Sequence, residues 1–385
     1  MGEMLRMRNP IQHYAWGSRE VLARIQGRPV PSPEPEAELW VGAHPSAPSV
    51  VHLDGRERPL DELLAEEPGR FLRDAAAGDG LPCLMKILAI DAPLSIQVHP
   101  SPEQAAEGFA REERAGIPLG DPRRNYKDRS AKPETVVALT DLELLTGVQP
   151  AGRLDAVAQR LRLGWLREAL AAGGPVLPAV LGLPDDDAAA AVEATVAAAR
   201  AAGAEDPVAR LIRYVADRHP GDRGLLVAVC MHHLRLAPGQ SVHTPAGQLH
   251  AYLSGAAVEV MSSSDNVLRA GLTGKHVDVP EVLRVLSEEQ PPPEVLDPPA
   301  AADGSRRYPL WDERLALVAH EAAPGRTVPF EVRGTAMLLA ATGRVRVRAA
   351  GRTWELGGGD SLLHTGGPTA VELSGDGRLF TVLCG

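Results

Sequence analysis

Residues 239–250 of this 385-residue chain read GQSVHTPAGQLH, the pattern G-x5-P-x-G-x2-H. The proline and glycines fall where a chain turns sharply, so the stretch predicts a β-hairpin whose last residue, His250, points into the interior of a barrel. A histidine so placed is a candidate metal ligand. A second stretch offers partners: in Ile96-Gln97-Val98-His99, strand alternation turns Gln97 and His99 to one face, the geometry by which a single strand supplies two ligands. His243 is a weaker competitor because it sits in the turn.

Outward from these two stretches, short apolar runs at residues 39–42, 83–88 and 94–99 read as strands closed by Gly, Asp-Ala-Pro or Pro100. From residue 152 to about 229 the character changes. Alanine-rich stretches such as 185–202, and apolar residues at helical spacing around Leu161, Trp165, Leu166 and Leu170, predict a helical block. Strand chemistry returns at 232–236. The prolines at 291–293 and 298–299 read as a stiff linker, and residues 328–385 as a small β-sandwich or barrel with a turn at Gly375-Asp376-Gly377.

Composition narrows the function classes. Fifty acidic against 40 basic residues give a net charge of -10, so bulk electrostatics does not attract nucleic acid. The N-terminus lacks an apolar signal region, and the apolar stretch at 175–184 is cut by prolines well short of a membrane span, which predicts a cytoplasmic protein without membrane contact. Cys83, Cys230 and Cys384 form no CxxC spacing, so neither a disulfide framework nor a thiolate zinc site is expected. Only four of the 40 basic residues are lysine: Lys86, Lys127, Lys132 and Lys275. Where arginine replaces lysine almost everywhere, the survivors mark places for a compact ammonium or a proton-transferring amine.

The 239–250 stretch matches the second cupin motif, and the chain resembles the class I mannose-6-phosphate isomerases. The matching stretches are QHYAWGS (12–18), ELWVGAHP (38–45), PLSIQVHP (93–100), YKDRSAKPE (126–134), QLHAY (248–252), VEVM (258–261) and SDNVLRAGLTGKH (264–276). Over the helical block and the C-terminal segment the resemblance is architectural only. It implies a mainly β fold with a helical insertion. A jelly-roll cupin core is expected over residues 1–150 and 230–288, a helical domain over 151–229, and a cupin-like β-sandwich over 300–385.

The resemblance further implies one zinc ion per chain, held by Gln97, His99, Glu134 and His250. Two imidazoles, a carboxylate and a neutral amide would leave the metal a Lewis acid with room for a substrate oxygen. It also places Lys86, Lys132, Glu259, Arg269 and Lys275 around a sugar phosphate, with Trp16 and Ser95 lining the pocket. The implied reaction interconverts mannose 6-phosphate and fructose 6-phosphate in a monomer. Moving a proton from carbon 2 to carbon 1 through an enediol needs a base near both carbons and positive charge near both oxygens. Arg269 fits the charge, and Lys132 and Glu259 are the candidate bases. Lys127 is expected to be a solvated neighbour. One departure stands out: Ser130-Ala131 occupy the place where the family usually has Asn-His, which leaves ring opening of the cyclic sugar to another group, to water or to spontaneous opening.

Two other readings compete. A non-catalytic zinc-bound sensor of sugar phosphates would keep barrel and metal without turnover; an iron cupin oxygenase is disfavoured by Gln97 and Glu134. Other features are assigned ordinary roles. His232-His233 reads as one core and one surface residue, His364 as packing in a worn hairpin, Glu112-Glu113 as a solvated face, and Asp185-Asp186-Asp187 as a helix start.

Overall fold

The computed structural model describes residues 2–72, 80–287 and 290–384; Met1 and residue 288, the expected end of the core, lie outside the described residues. Two antiparallel ten-stranded sheets carry the fold. The strand His250–Met261 organises the first. Its N-terminal half pairs with Leu142–Val148 and meets Ile96–Val98, while its C-terminal half pairs with Leu84–Ile90 and Glu134–Ala138. The curled sheet therefore brings the motif histidine, the Gln97 strand and the Glu134 strand to one end of the barrel.

The change of partners happens at a backbone irregularity. The register with Leu142–Val148 slips between Tyr252 and Ser254, and Gly255 follows at φ +113°. A Cβ at Gly255 would come within 2.3 Å of the Asp141 carbonyl oxygen, so only glycine lets the two strands approach here.

Six helices between Ala151 and Cys230 form the expected block. Asp185–Ala201 starts on its three aspartates, as the helix dipole favours. Leu154, Leu166, Ile212 and Leu226 pack in one apolar cluster with the barrel residues Ile96, Val98, Leu249, Ala251 and Leu268. The helical layer thus covers the outer face of the wall whose inner face carries Gln97 and His250.

The second sheet differs from a self-contained C-terminal unit. Strand Glu3–Arg8 pairs with Ser361–Thr365, and Val50–Leu53 pairs with Glu3–Arg8, so the N-terminal segment is shared between the sheets. Gly375-Asp376-Gly377 is not a hairpin turn. It lies inside the long strand Thr369–Cys384, opposite Gly343 and Arg344 of Ala336–Ala349, where glycines at φ +116° and +70° bend both strands together. His364 packs as expected, its ring nitrogens 2.8 Å from the Gly334 carbonyl and 2.9 Å from Thr369 Oγ1.

Three local expectations are corrected. Glu112 is buried, accepting the backbone N–H groups of Asn125 and Tyr126 and pairing with Arg124 at 2.9 Å; it holds the loop before Lys132 instead of facing solvent. His232 and His233 are both half-buried, and His233 Nε2 lies 2.9 Å from Glu143. Lys127 is also half-buried, its ammonium donating to the Leu119 carbonyl.

Substituting Gly255→Val is expected to lower unfolding free energy by about 2–4 kcal/mol, through a forced left-handed valine and the clash with Asp141. Urea unfolding followed by circular dichroism checks this; an unchanged midpoint contradicts the close approach.

Candidate active site

Three side chains converge at the bottom of the barrel mouth: His99, just past the strand Ile96–Val98; Glu134, opening the strand Glu134–Ala138; and His250, opening the long strand. One ligand atom from each lies within 4.8 Å of the others, and all three residues are buried. Glu134 Oε1 is 3.2 Å from His99 Nε2, and Oε2 is 3.1 Å from His250 Nε2. His99 Nδ1 lies 2.7 Å from the carbonyl oxygen of Asn266, which places its proton on Nδ1 and turns the Nε2 lone pair inward. That Nε2 is buried without a hydrogen-bond partner among the described residues. A lone pair facing a carboxylate asks for a cation between them.

The electrostatics agree. Burial, with help from the Lys132 ammonium, holds His99 down at about 4, so the imidazole is neutral and ready to ligate. Burial opposes ionisation of Glu134, yet the Lys132 ammonium beside it leads the influences that keep its carboxyl well below the ordinary range. Lys132 Nζ sits 2.8 Å from Glu134 Oε1. Gln97 pairs in register with His250 and turns its amide toward Ser95, Nε2 donating to Oγ at 3.1 Å.

Above this cluster a small inner chamber of about 50 Å³ is lined by Gln97, Glu134, His250, Tyr252 and Glu259. It shares Lys86, Ser95 and Lys132 with an outer cleft of about 1010 Å³, whose walls include Trp16, Arg269 and Lys275. Chamber and cleft together are lined by ten of the eleven residues assigned to the site from the sequence, and the eleventh, His99, lines neither. His243 stays outside the cluster, its Nδ1 3.0 Å from Thr135 Oγ1.

Strand register explains the inner charges. Lys86 is paired directly with Glu259, and its ammonium lies 3.4 Å from that carboxylate and 3.3 Å from Glu38. Burial opposes the Lys86 charge, but Glu38, Glu259 and Glu134 together raise its pKa. Glu259 is pushed up by burial and by the neighbouring Glu134, against the pull of Lys86 and Lys132. Lys86 is thus held between two carboxylates in the interior, whereas Arg269 and Lys275 stand nearer the mouth, each with its pKa lowered by burial.

Among the lining residues not singled out in the sequence are Glu38, His44, Tyr252 and Asp265. Glu38 accepts from Trp40 Nε1 at 2.5 Å, and His44 Nε2 lies 3.4 Å from Asp265. Each falls within a quoted motif, so the signal was present. What was missing was the pairing that gives these residues a role.

Asn266 ties the site together. Its carbonyl orients His99, its side-chain oxygen accepts the Lys127 N–H at 2.7 Å, and its amide donates to the Ser130 carbonyl at 2.9 Å. The loop carrying Ser130, Ala131 and Lys132 is thereby fixed to the loop before Arg269.

The fold and site are those of a cupin with a three-residue group able to hold one metal ion. Residues 4–151 match the family model for the type I phosphomannose isomerase catalytic domain. The mannose-6-phosphate isomerase of Salmonella typhimurium is 34% identical, the alignment covering 98% of this chain and 99% of that protein. That of Escherichia coli is 32% identical, with the same coverage. The Salmonella typhimurium enzyme bound to substrate and zinc superposes with a TM-score of 0.89 at 30% identity, over 99% of both chains. The chain belongs to the type I mannose-6-phosphate isomerase family, and the likeness extends through the helical block and the C-terminal sheet. Among the described residues no helix is long and apolar enough to cross a membrane.

Lys86→Met leaves Glu38 and Glu259 buried without their cation and is expected to cost on the order of 3–5 kcal/mol at about pH 8. Glu259 already titrates above the ordinary carboxyl range, so its ionised form carries a folded-state penalty that disappears as pH falls and it binds a proton. The deficit should therefore shrink toward about pH 5. Thermal unfolding of both proteins at the two pH values tests this, and an equal loss at both would count against the pairing.

Proposed function

We propose that this chain is a zinc-dependent aldose–ketose isomerase interconverting mannose 6-phosphate and fructose 6-phosphate through an enediol. The observation that carries the reading is the inward-facing, unpartnered Nε2 of His99 beside the Glu134 carboxylate, at the base of a cleft whose mouth carries Arg269 and Lys275. Gln97, His99, Glu134 and His250 would hold the ion. Bound zinc supplies a Lewis acid for the sugar oxygens.

The chain's own residues do the rest. Arg269, opposite Gln97 in the sheet, faces the charge that develops on the enediol oxygens. Lys132 and Glu259, both bordering the inner chamber, are the two groups placed to carry the proton between carbons. Burial and the neighbouring Glu134 raise the Glu259 pKa, which suits it to take and return a proton. Lys275 receives the phosphate, with Trp16 and Ser95 against the sugar. Lys86 pairs with Glu38 and Glu259 and reaches hydroxyls, not the phosphate. With Ala131 next to Lys132, ring opening falls to water or to another polar group of the cleft.

In the same reading, residues 1–150 and 230–288 form the catalytic core, with the strands Glu3–Arg8 and Val50–Leu53 lent to the C-terminal sheet, 151–229 a helical domain, and 300–385 a non-catalytic β domain. The enzyme acts as a cytoplasmic monomer on a small sugar phosphate, without nucleic acid or membrane.

Purified protein should convert mannose 6-phosphate to fructose 6-phosphate, lose that activity to a chelator and regain it with zinc. His250→Ala should lose both zinc and turnover, and Lys132→Ala should lower turnover by at least roughly a thousandfold. Metal analysis beside a coupled assay checks both, and a fully active His250→Ala would sink the site assignment. A folded, zinc-loaded protein without turnover would favour the sensor reading and draw attention to Ser130-Ala131.

A further inference from the structure

At one contact between the helical block and the barrel the backbones lie directly against each other. The connector between helices Pro207–Arg218 and Gly224–Cys230 runs against the end of strand Leu268–Gly271. A Cβ on Gly224 would come within 2.4 Å of the Leu272 nitrogen, and one on Gly271 within 2.3 Å of the Gly224 Cα. Side chains are excluded on both sides, so the segments lie in direct backbone contact.

Asp222 bridges that contact. Its Oδ1 accepts the N–H of Gly224 at 2.7 Å and of Leu272 at 3.0 Å, and its Oδ2 accepts the N–H of Thr273 at 2.9 Å. Thr273 Oγ1 then accepts the N–H of Lys275 at 3.1 Å. One carboxylate therefore reaches, through two hydrogen bonds in sequence, the backbone of a cleft lysine. The held segment is not a relaxed one: Gly271 has φ +138° and Leu272, a buried non-glycine, has φ +55°. The Leu272 side chain is anchored in the apolar cluster, and the charged acceptor for the N–H groups of Leu272 and Thr273 holds the backbone path beyond it.

We propose that Asp222 is a positioning residue for phosphate binding. Standing in the helical block, it fixes the turn between Arg269 and Lys275 so that both cations face the cleft together. The block thus takes part in substrate recognition as well as covering the barrel wall. The same connector supports this, since its neighbours Arg218 and His219 also border the cleft, and His219 Nε2 lies 3.1 Å from the Pro93 carbonyl beside Ser95. The inference rests on the sugar-phosphate reading of Arg269 and Lys275.

The test uses the zinc-loaded full chain and inorganic phosphate as a competitive inhibitor. Asp222→Asn keeps an oxygen for Gly224 and Leu272 but turns an NH2 group toward the Thr273 N–H. It should raise the phosphate inhibition constant and the KM for mannose 6-phosphate together, by about tenfold, with a smaller change in kcat and unchanged zinc content. Asp222→Ala should do more of the same. In a Lys275→Met background the effect of Asp222→Asn on phosphate inhibition should shrink by at least about half, because the residue acts through that turn. If Asp222→Ala does not fold, Asp222→Asn and the double variant decide alone. Unchanged phosphate inhibition in a folded, zinc-loaded Asp222→Asn overturns the proposal, as does a kcat loss without a phosphate effect. If the unmodified enzyme itself binds neither phosphate nor mannose 6-phosphate, the functional reading fails, and this one with it.

Discussion

Everything in the barrel mouth follows from burying the Glu134 carboxylate with only 3% of its surface exposed. An ionised carboxylate out of water is tolerated only where positive charge or donors surround it. Here the Lys132 ammonium lies 2.8 Å away, and the bare Nε2 lone pair of His99 at 3.2 Å leaves the rest of the demand to a bound cation. The same demand is repeated one layer on, where Lys86 sits between Glu38 and Glu259. These alternating charges form a single network, so a change in one member alters the field at its neighbours. A site that must move protons and hold a cation gains from that coupling.

The scaffold meets the demand by bending strands. His250–Met261 exchanges partners along its length, with Gly255 at the crossing, so one strand contributes His250 at one end and Glu259 near the other. Loops then refine what the sheet sets roughly. Asn266 fixes the ring of His99 through its carbonyl and the path to Lys132 through its side chain. The helical block packs behind the wall and supplies Asp222 at the turn that leads to Lys275.

Much of this could be read from one chain because the informative residues are short-range in sequence. The G-x5-P-x-G-x2-H stretch, the Gln97/His99 alternation and the scarce lysines are local signals, and strand periodicity turns them directly into facing side chains. Errors came where burial decides the role of a charge. Glu112 belongs to an acidic pair on a helix, which by composition faces water; instead its carboxylate caps the loop at Asn125 and Tyr126. Gly375-Asp376-Gly377 has the composition of a turn, but pairing with Gly343 and Arg344 carries the strand through it. Lys127 looked solvated because its carbonyl acceptor at Leu119 is brought close only by the fold of its loop.

By itself, then, the sequence determined the helical insertion and, through spacing within a few residues, Gln97, His99 and His250 as metal-binding candidates, while Glu134 and the jelly-roll core came with the family resemblance. Only the tertiary structure decided that Glu38, Lys86 and Glu259 form one charge chain, that Glu3–Arg8 completes the C-terminal sheet, and that Asp222 holds the turn before Lys275. These are contacts between segments some 50 to 350 positions apart. Periodicity and composition carry no information at that range, because the partner of a buried charge is set by which strands the barrel brings side by side.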